Sequence, residues 1–225
     1  MSHHIVNIIG AGLAGCEAAW QAANRGIQVR LYDMKPLKYS PAHSLDSFAE
    51  FSSLSELVCS NSFRSDRLEN AVGLLKEEMR ILNSIIMRCA DAERLPAGEA
   101  LAVDRIRFSK LVTDEIKSHP NISIINKEMS DLPENGATII ATGPLTSNSL
   151  SECIRQLTGK ECLYFYDAAA PIVTYESIDL EKAFRASRYG RGSDDYINCP
   201  MDEKQYKLFY DELVNAEVVP IKEFE

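Results

Sequence analysis

Two groups of residues in this chain have the types and spacing to do chemistry. The first is Gly10-Ala11-Gly12-Leu13-Ala14-Gly15, which follows the apolar run Ile5-Val6-Asn7-Ile8-Ile9 and precedes a good helix sequence starting at Cys16. In a Gly-x-Gly-x-x-Gly turn the first glycine permits a tight turn off a strand. The second removes a side chain so that a pyrophosphate can approach the backbone, and the third lets the helix pack close to the sheet. Free N–H groups at the helix start then face the phosphates. Gly26 ends the helix, residues 27–32 read as a second strand, and Asp33 closes it about twenty residues beyond the glycines, where a carboxylate accepts hydrogen bonds from ribose hydroxyls. An acid at that point repels a ribose phosphate, which argues against NADP.

The second group is Glu56-Leu57-Val58-Cys59-Ser60-Asn61-Ser62, a cysteine on a polar loop read as lying just before a helix. A helix start, together with Arg64 or Arg67, would hold part of the Cys59 thiol as thiolate, the form that attacks electrophilic carbon. Residue type alone leaves a buried structural cysteine equally open.

The elements that must position these residues follow from periodicity. After Asp33 comes an irregular stretch, residues 34–57, long enough to cover or carry a site. Asp66 and Glu69 suggest a capping box for a helix from about residue 67, with Leu75, Met79, Leu82 and Ile86 at helical spacing as core. Residues 105–119 read as an amphipathic helix stopped by Pro120, and 122–125 and 137–141 as strands. The second strand runs into Thr142-Gly143-Pro144, either a plain turn or a second backbone approach to a bound dinucleotide of the kind seen in flavoproteins of the glutathione-reductase type. Coupled to the first glycine turn, it shifts the expected cofactor from NAD to FAD.

Residues 149–159 read as a helix and its cap, 163–167 and 171–175 as strands of a different sheet, and 202–216 as an amphipathic helix. The expected fold class is α/β: a Rossmann-like FAD-binding domain of glutathione-reductase type over 1–150, followed over 151–225 by the beginning of an inserted α+β substrate domain.

Composition sets bounds on function. The 225 residues, 45% of them hydrophobic, allow a sizeable core. No apolar run has transmembrane length and the first strand starts close to Met1, so the expected location is cytoplasmic. Six cysteines occur without a Cys-x-x-Cys pair, which argues for free thiols and no metal site. The net charge of −9 argues against broad non-specific nucleic-acid binding and leaves room for a local basic face. Arg185, Arg188 and Arg191, interleaved with Tyr189 and Tyr196, are such a face, or simply a solvated one.

Taken in order, the glycine turn, Pro41-Ala42-His43, Leu57-Val58-Cys59-Ser60-Asn61-Ser62, Leu74 to Met79, Pro96-Ala97-Gly98, Leu101 to Arg105, Ala141 to Ser147, Tyr164 to Ala168 and Asn198 to Met201 closely resemble the TrmFO family. That resemblance implies folate- and FAD-dependent methylation of carbon 5 of uracil in the tRNA T-loop. The carbon comes from 5,10-methylenetetrahydrofolate and the reducing equivalents from NADH or NADPH. It implies cofactor contacts from Gly10, Ala11, Gly12, Leu13, Ala14, Gly15, Asp33, Thr142 and Gly143. Cys59 is then the catalytic cysteine, as nucleophile or as base. The family's second functional cysteine belongs to a later Phe-Glu-Gly-Cys motif, and the sequence ends at Phe224-Glu225. Cys199 is therefore read as structural, and the ending as that of a truncated gene product, of one piece of a split gene whose separately encoded C-terminal half would be a partner, or of an expressed fragment. The alternative is an inactive remnant or split-gene subunit that binds FAD or a partner without turnover.

Overall fold

A computed structural model describes residues 5–40, 43, 53–159, 173–187, 190 and 193–217. They fall into two compact units, Met1–Leu95 with Ala100–Ala170, and Pro96–Glu99 with Pro171–Glu225. The first unit is mixed α/β, built on a four-stranded parallel sheet.

Strand β1 (Ile5–Ile9) leads through the glycine turn into α1 (Leu13–Asn24) and returns as β2 (Gln28–Asp33), which pairs parallel to β1 with Ile8 opposite Leu31. Next come β3 (Ser62–Ser65), α2 (Ala71–Ile81), α3 (Ile85–Ala92), β4 (Arg94–Leu95), β5 (Ala100–Val103) and α4 (Arg105–Ser118). The chain rejoins the sheet as β6 (Ile122–Asn126) and β7 (Ala137–Ile140), then continues into α5 (Asn148–Thr158). The parallel order is β6-β2-β1-β7, and β3-β5-β4 form a small antiparallel sheet.

Successive strand side chains point to opposite faces, and here both faces are covered. Ile8 and Leu31 are fully buried in the main core with Cys16 and Ala19 of α1 and with Phe108, Val112 and Ile116 of α4. Their neighbours Ile9 and Tyr32 face the other way, onto Leu150 of α5. Each large side chain buried in this way contributes about 1.5–3 kcal/mol. Helix α4 starts where expected because the Asp104 carboxylate accepts from the amides of Ile106 and Arg107.

The region between β2 and α4 corrects two expectations. The helix begins at Ala71, not near Arg67, because the Asp66 carboxylate is taken by Arg80, at 2.9 Å, and by Arg94, while Glu69 pairs with Arg67. The apolar series is also split between two helices. Asn83 adopts φ 57°, so the chain breaks between α2 and α3, burying Ile86 while Leu75 and Leu82 stay exposed.

In the second unit, β8 (Phe184–Ala186) and β9 (Tyr196–Asn198) form an antiparallel pair. Helix α6 (Glu203–Val214) starts with a capping box between Asp202 and Gln205. The strand expected at 163–167 lies outside the described residues. That expected at 171–175 is not formed over its described part, where Tyr175–Ser177 is a short 3-10 turn. Arg188, Tyr189, Arg191 and Cys162 also lie outside the described residues. Among those described, no helix is long and apolar enough to cross a membrane.

Candidate dinucleotide cleft

The C-terminal ends of β1, β2 and β7 meet at one cleft, at the point where the strand order reverses and where open parallel sheets bind their ligands. The turn is fastened by backbone bonds: Gly10 N–H to Tyr32 O at 2.9 Å and Ala141 N–H to Ile9 O at 2.8 Å. Each glycine has a distinct reason to be there. Gly10 has φ +100°, and a Cβ would meet Ala141 O at 2.7 Å. On Gly15 a Cβ would lie 1.8 Å from Gly10 O, so the helix touches the strand through that missing atom. On Gly12 it would meet nothing within 4 Å. Gly12 therefore faces open space at the N-cap of α1, whose first amides no side chain caps. These are the features a pyrophosphate needs: room, donors and the positive end of a helix dipole.

Asp33 sits at the end of β2, 8% exposed, with Oδ1 accepting from the Lys35 amide at 2.8 Å. Burial pushes its carboxyl above the usual range, and the Lys35 amide and ammonium pull it part of the way back. His43 also lines the cleft. Its Nδ1 accepts from the Ser40 amide at 3.0 Å, which requires a neutral ring with the proton on Nε2. Burial first, and then the Lys35 charge, hold its pKa down.

Of the residues singled out in the sequence, the cleft brings together Gly10, Ala11, Gly12, Asp33 and Thr142. Leu13 and Ala14 instead line an apolar groove with Phe63 and Met79, and Gly15 is buried in the helix contact. Gly143 opens the 3-10 turn Gly143–Leu145 with φ +55°. Lys35, His43, Glu56 and Lys127 also line the cleft; none of them had an individual role in the sequence reading, although His43 and Glu56 fell within motifs and Lys35, His43 and Glu56 within the 34–57 stretch expected to cover or carry a site.

Cys59 is exposed, next to Val58, which lines the cleft. No helix follows it: β3 does, and Arg67 is paired with Glu69, so the expected thiolate support from a helix start is absent. The loop is instead anchored on both sides. The Ser55 amide donates to Ala11 O at 2.8 Å, the Leu54 amide to Thr113 Oγ1 at 2.9 Å, and the Arg105 guanidinium to Leu57 O. Beyond the cysteine, Asn61 Nδ2 donates to Val103 O at 3.0 Å.

The other described cysteines differ in exposure, with Cys153 intermediate. Cys16 and Cys89 are buried, which pushes their thiols up to about 12 and about 11; Cys199 is exposed, contrary to a structural role. At about pH 8 the Cys16 thiolate is then roughly one part in ten thousand. Iodoacetamide with peptide mapping should label Cys59 and Cys199 in the native chain and spare Cys16 and Cys89.

Sheet order, glycine turn and terminal acid together define a Rossmann-type α/β protein with a cleft suited to a dinucleotide. Residues 5–225 match the family model described as glucose inhibited division protein A, and the chain belongs to that family. It is 63% identical over 220 residues to an Acetivibrio thermocellus protein and 57% identical over 225 residues to one from Bacillus subtilis. Both are named methylenetetrahydrofolate–tRNA-(uracil-5-)-methyltransferase TrmFO, bearing out the resemblance seen in the motifs. These alignments cover 98% and 100% of this chain and 49% and 50% of the relatives, so the chain spans about half the length of the curated relatives it matches. Among solved structures it is similar to Aquifex aeolicus GidA, with TM-score 0.49 and 17% identity, covering 63% of this chain and 25% of that one. It is also similar to a GidA-related protein from Thermus thermophilus, with TM-score 0.35 and 17% identity, covering 64% and 54%.

Proposed function

We propose that this chain is the FAD-binding part of a cytoplasmic TrmFO-type enzyme that methylates carbon 5 of uracil in the tRNA T-loop. In this reading 5,10-methylenetetrahydrofolate gives the carbon, NADH or NADPH the reducing equivalents, and residues 151–225 begin a substrate domain. The observation that carries it is the 57% identity to the Bacillus subtilis protein over all 225 residues. It is supported by a glycine turn whose middle glycine leaves the space a pyrophosphate would fill.

The chain's own residues divide the work. Gly12 and the first amides of α1 bind the pyrophosphate, Asp33 accepts from the ribose hydroxyls, and Thr142 closes the cleft just beyond the end of β7. When bound, FAD supplies the hydride chemistry that turns a transferred methylene into a methyl group. Cys59 acts on the uracil. As nucleophile its thiolate adds at carbon 6 and pushes electron density to carbon 5; as base it removes the carbon 5 proton after transfer.

The test starts with the visible absorption spectrum of the purified chain, alone and after adding FAD. A near-stoichiometric flavin band is expected. Methyl transfer to tRNA is then assayed with the chain alone and with a polypeptide carrying the remaining half of a relative. Cys59→Ala should keep the band and lower transfer at least about a thousandfold. Transfer at the parent rate would remove Cys59 from catalysis. A band without transfer in any combination would favour a flavin-binding remnant.

A further inference from the structure

The dinucleotide reading gives no work to the ion pair buried beside the cleft. The Lys35 and Glu56 side chains are only 5% and 3% exposed, with Nζ 3.3 Å from Oε2. The same ammonium donates to Ser53 O at 2.5 Å, so it grips the loop at two residues, Ser53 and Glu56. Lys35 is itself fixed to the sheet. Its amide donates to Asp33 Oδ1 at 2.8 Å and its carbonyl accepts from Asn126 Nδ2 at 2.5 Å, tying it to the ends of β2 and β6.

A buried pair of this kind is a weak source of stability, because taking both charges out of water offsets their attraction. Apolar residues of similar volume often serve as well or better, and the pair's better-attested use is to specify a geometry. The geometry specified here is informative. Lys35 lies two residues beyond Asp33, and Glu56 three residues before Cys59, a reach of at most about 10 Å of extended chain. Other ties on this loop run elsewhere: Leu54 to Thr113 and Ser109 and Leu57 to Arg105, all on α4, Asn61 to Val103 of β5, and Ser55 to the glycine turn. The Lys35 grip links the loop to the strand that carries Asp33.

We propose that Lys35 and Glu56 are positioning residues whose buried ion pair fixes the Cys59 loop at the mouth of the cleft, in register with the Asp33 end of β2. The functional meaning of that placement rests on the reading proposed above. Its physical content belongs to the chain alone.

The test is Lys35→Met/Glu56→Leu in the full 225-residue chain, followed by hydrogen exchange with mass spectrometry. The double variant should fold with a thermal midpoint close to the parent's. Amides within 53–61 should exchange about tenfold faster, while peptides from β1 and β2 keep the parent rate. FAD should slow Cys59 alkylation by iodoacetamide in the parent but not in the double variant. Unchanged exchange in 53–61 overturns the proposal, and so does a rise spread evenly over the chain, which would make the pair an ordinary stabilising contact. If the double variant does not fold, Lys35→Gln/Glu56→Gln keeps polar contact without the charges and is judged by the same exchange pattern. A parent chain that takes up no FAD counts against the functional reading, while the exchange pattern still decides the role of the pair.

Discussion

Gly12→Ala is expected to yield a folded chain that takes up FAD far more weakly. The backbone at Gly12, φ −74° and ψ −167°, suits any residue, and the new Cβ meets no protein atom within 4 Å. Fewer unfolded conformations should therefore raise stability slightly, by about 0.4–1 kcal/mol. The methyl group, however, projects into the space through which a pyrophosphate would approach the amides of α1. Affinity should fall about a hundredfold, or roughly 3 kcal/mol. Flavin titration beside thermal denaturation checks both halves. A variant that binds FAD as the parent does would mean that the phosphates lie elsewhere.

Gly15→Ala, three residues away in the same motif, should fail in the opposite way. Its Cβ would lie 1.8 Å from the carbonyl oxygen and 2.9 Å from the carbonyl carbon of Gly10, both backbone atoms with no rotamer to adjust. Relief requires α1 to move away from the sheet, opening the core that Cys16 and Ala19 share with Ile8 and Leu31. A loss of about 4 kcal/mol or more is expected, enough to unfold a domain of ordinary stability. Chemical denaturation, or loss of soluble protein on expression, would register it. A Gly15→Ala chain with parent stability would show that helix and strand are not in the contact described.

These two glycines show why much of the scaffold was legible in the sequence. Their demands are local, set by backbone approach within a single strand-turn-helix, and local demands leave a spacing behind. Periodicity located β6, β7 and α4 for the same reason, since Phe108, Val112 and Ile116 recur every four residues toward one core. The reading failed where a side chain had a distant competitor. Asp66 looks like a cap until Arg80 and Arg94 claim it, and neither is near it in sequence. In the cleft, Lys35, His43 and Glu56 matter because they are charged or titratable groups in partly or fully buried surroundings. They come from an irregular stretch in which no period distinguishes buried from exposed. Cys59 was found by its residue type and motif, but its surroundings, a strand in place of a helix, were not.

The carbonyl of Ala11 accepts twice, from the Ser55 amide at 2.8 Å and from the Cys16 thiol at 3.3 Å. That carbonyl and the Gly12 N–H belong to one planar trans peptide, so they point in opposite directions. Pulling the oxygen inward onto Ser55 and Cys16 therefore turns the hydrogen outward. In the proposed reading that hydrogen is an anion-binding donor, aimed by a grip on the far end of the same rigid plate, and Cys16, too buried to react, serves as one of the fingers.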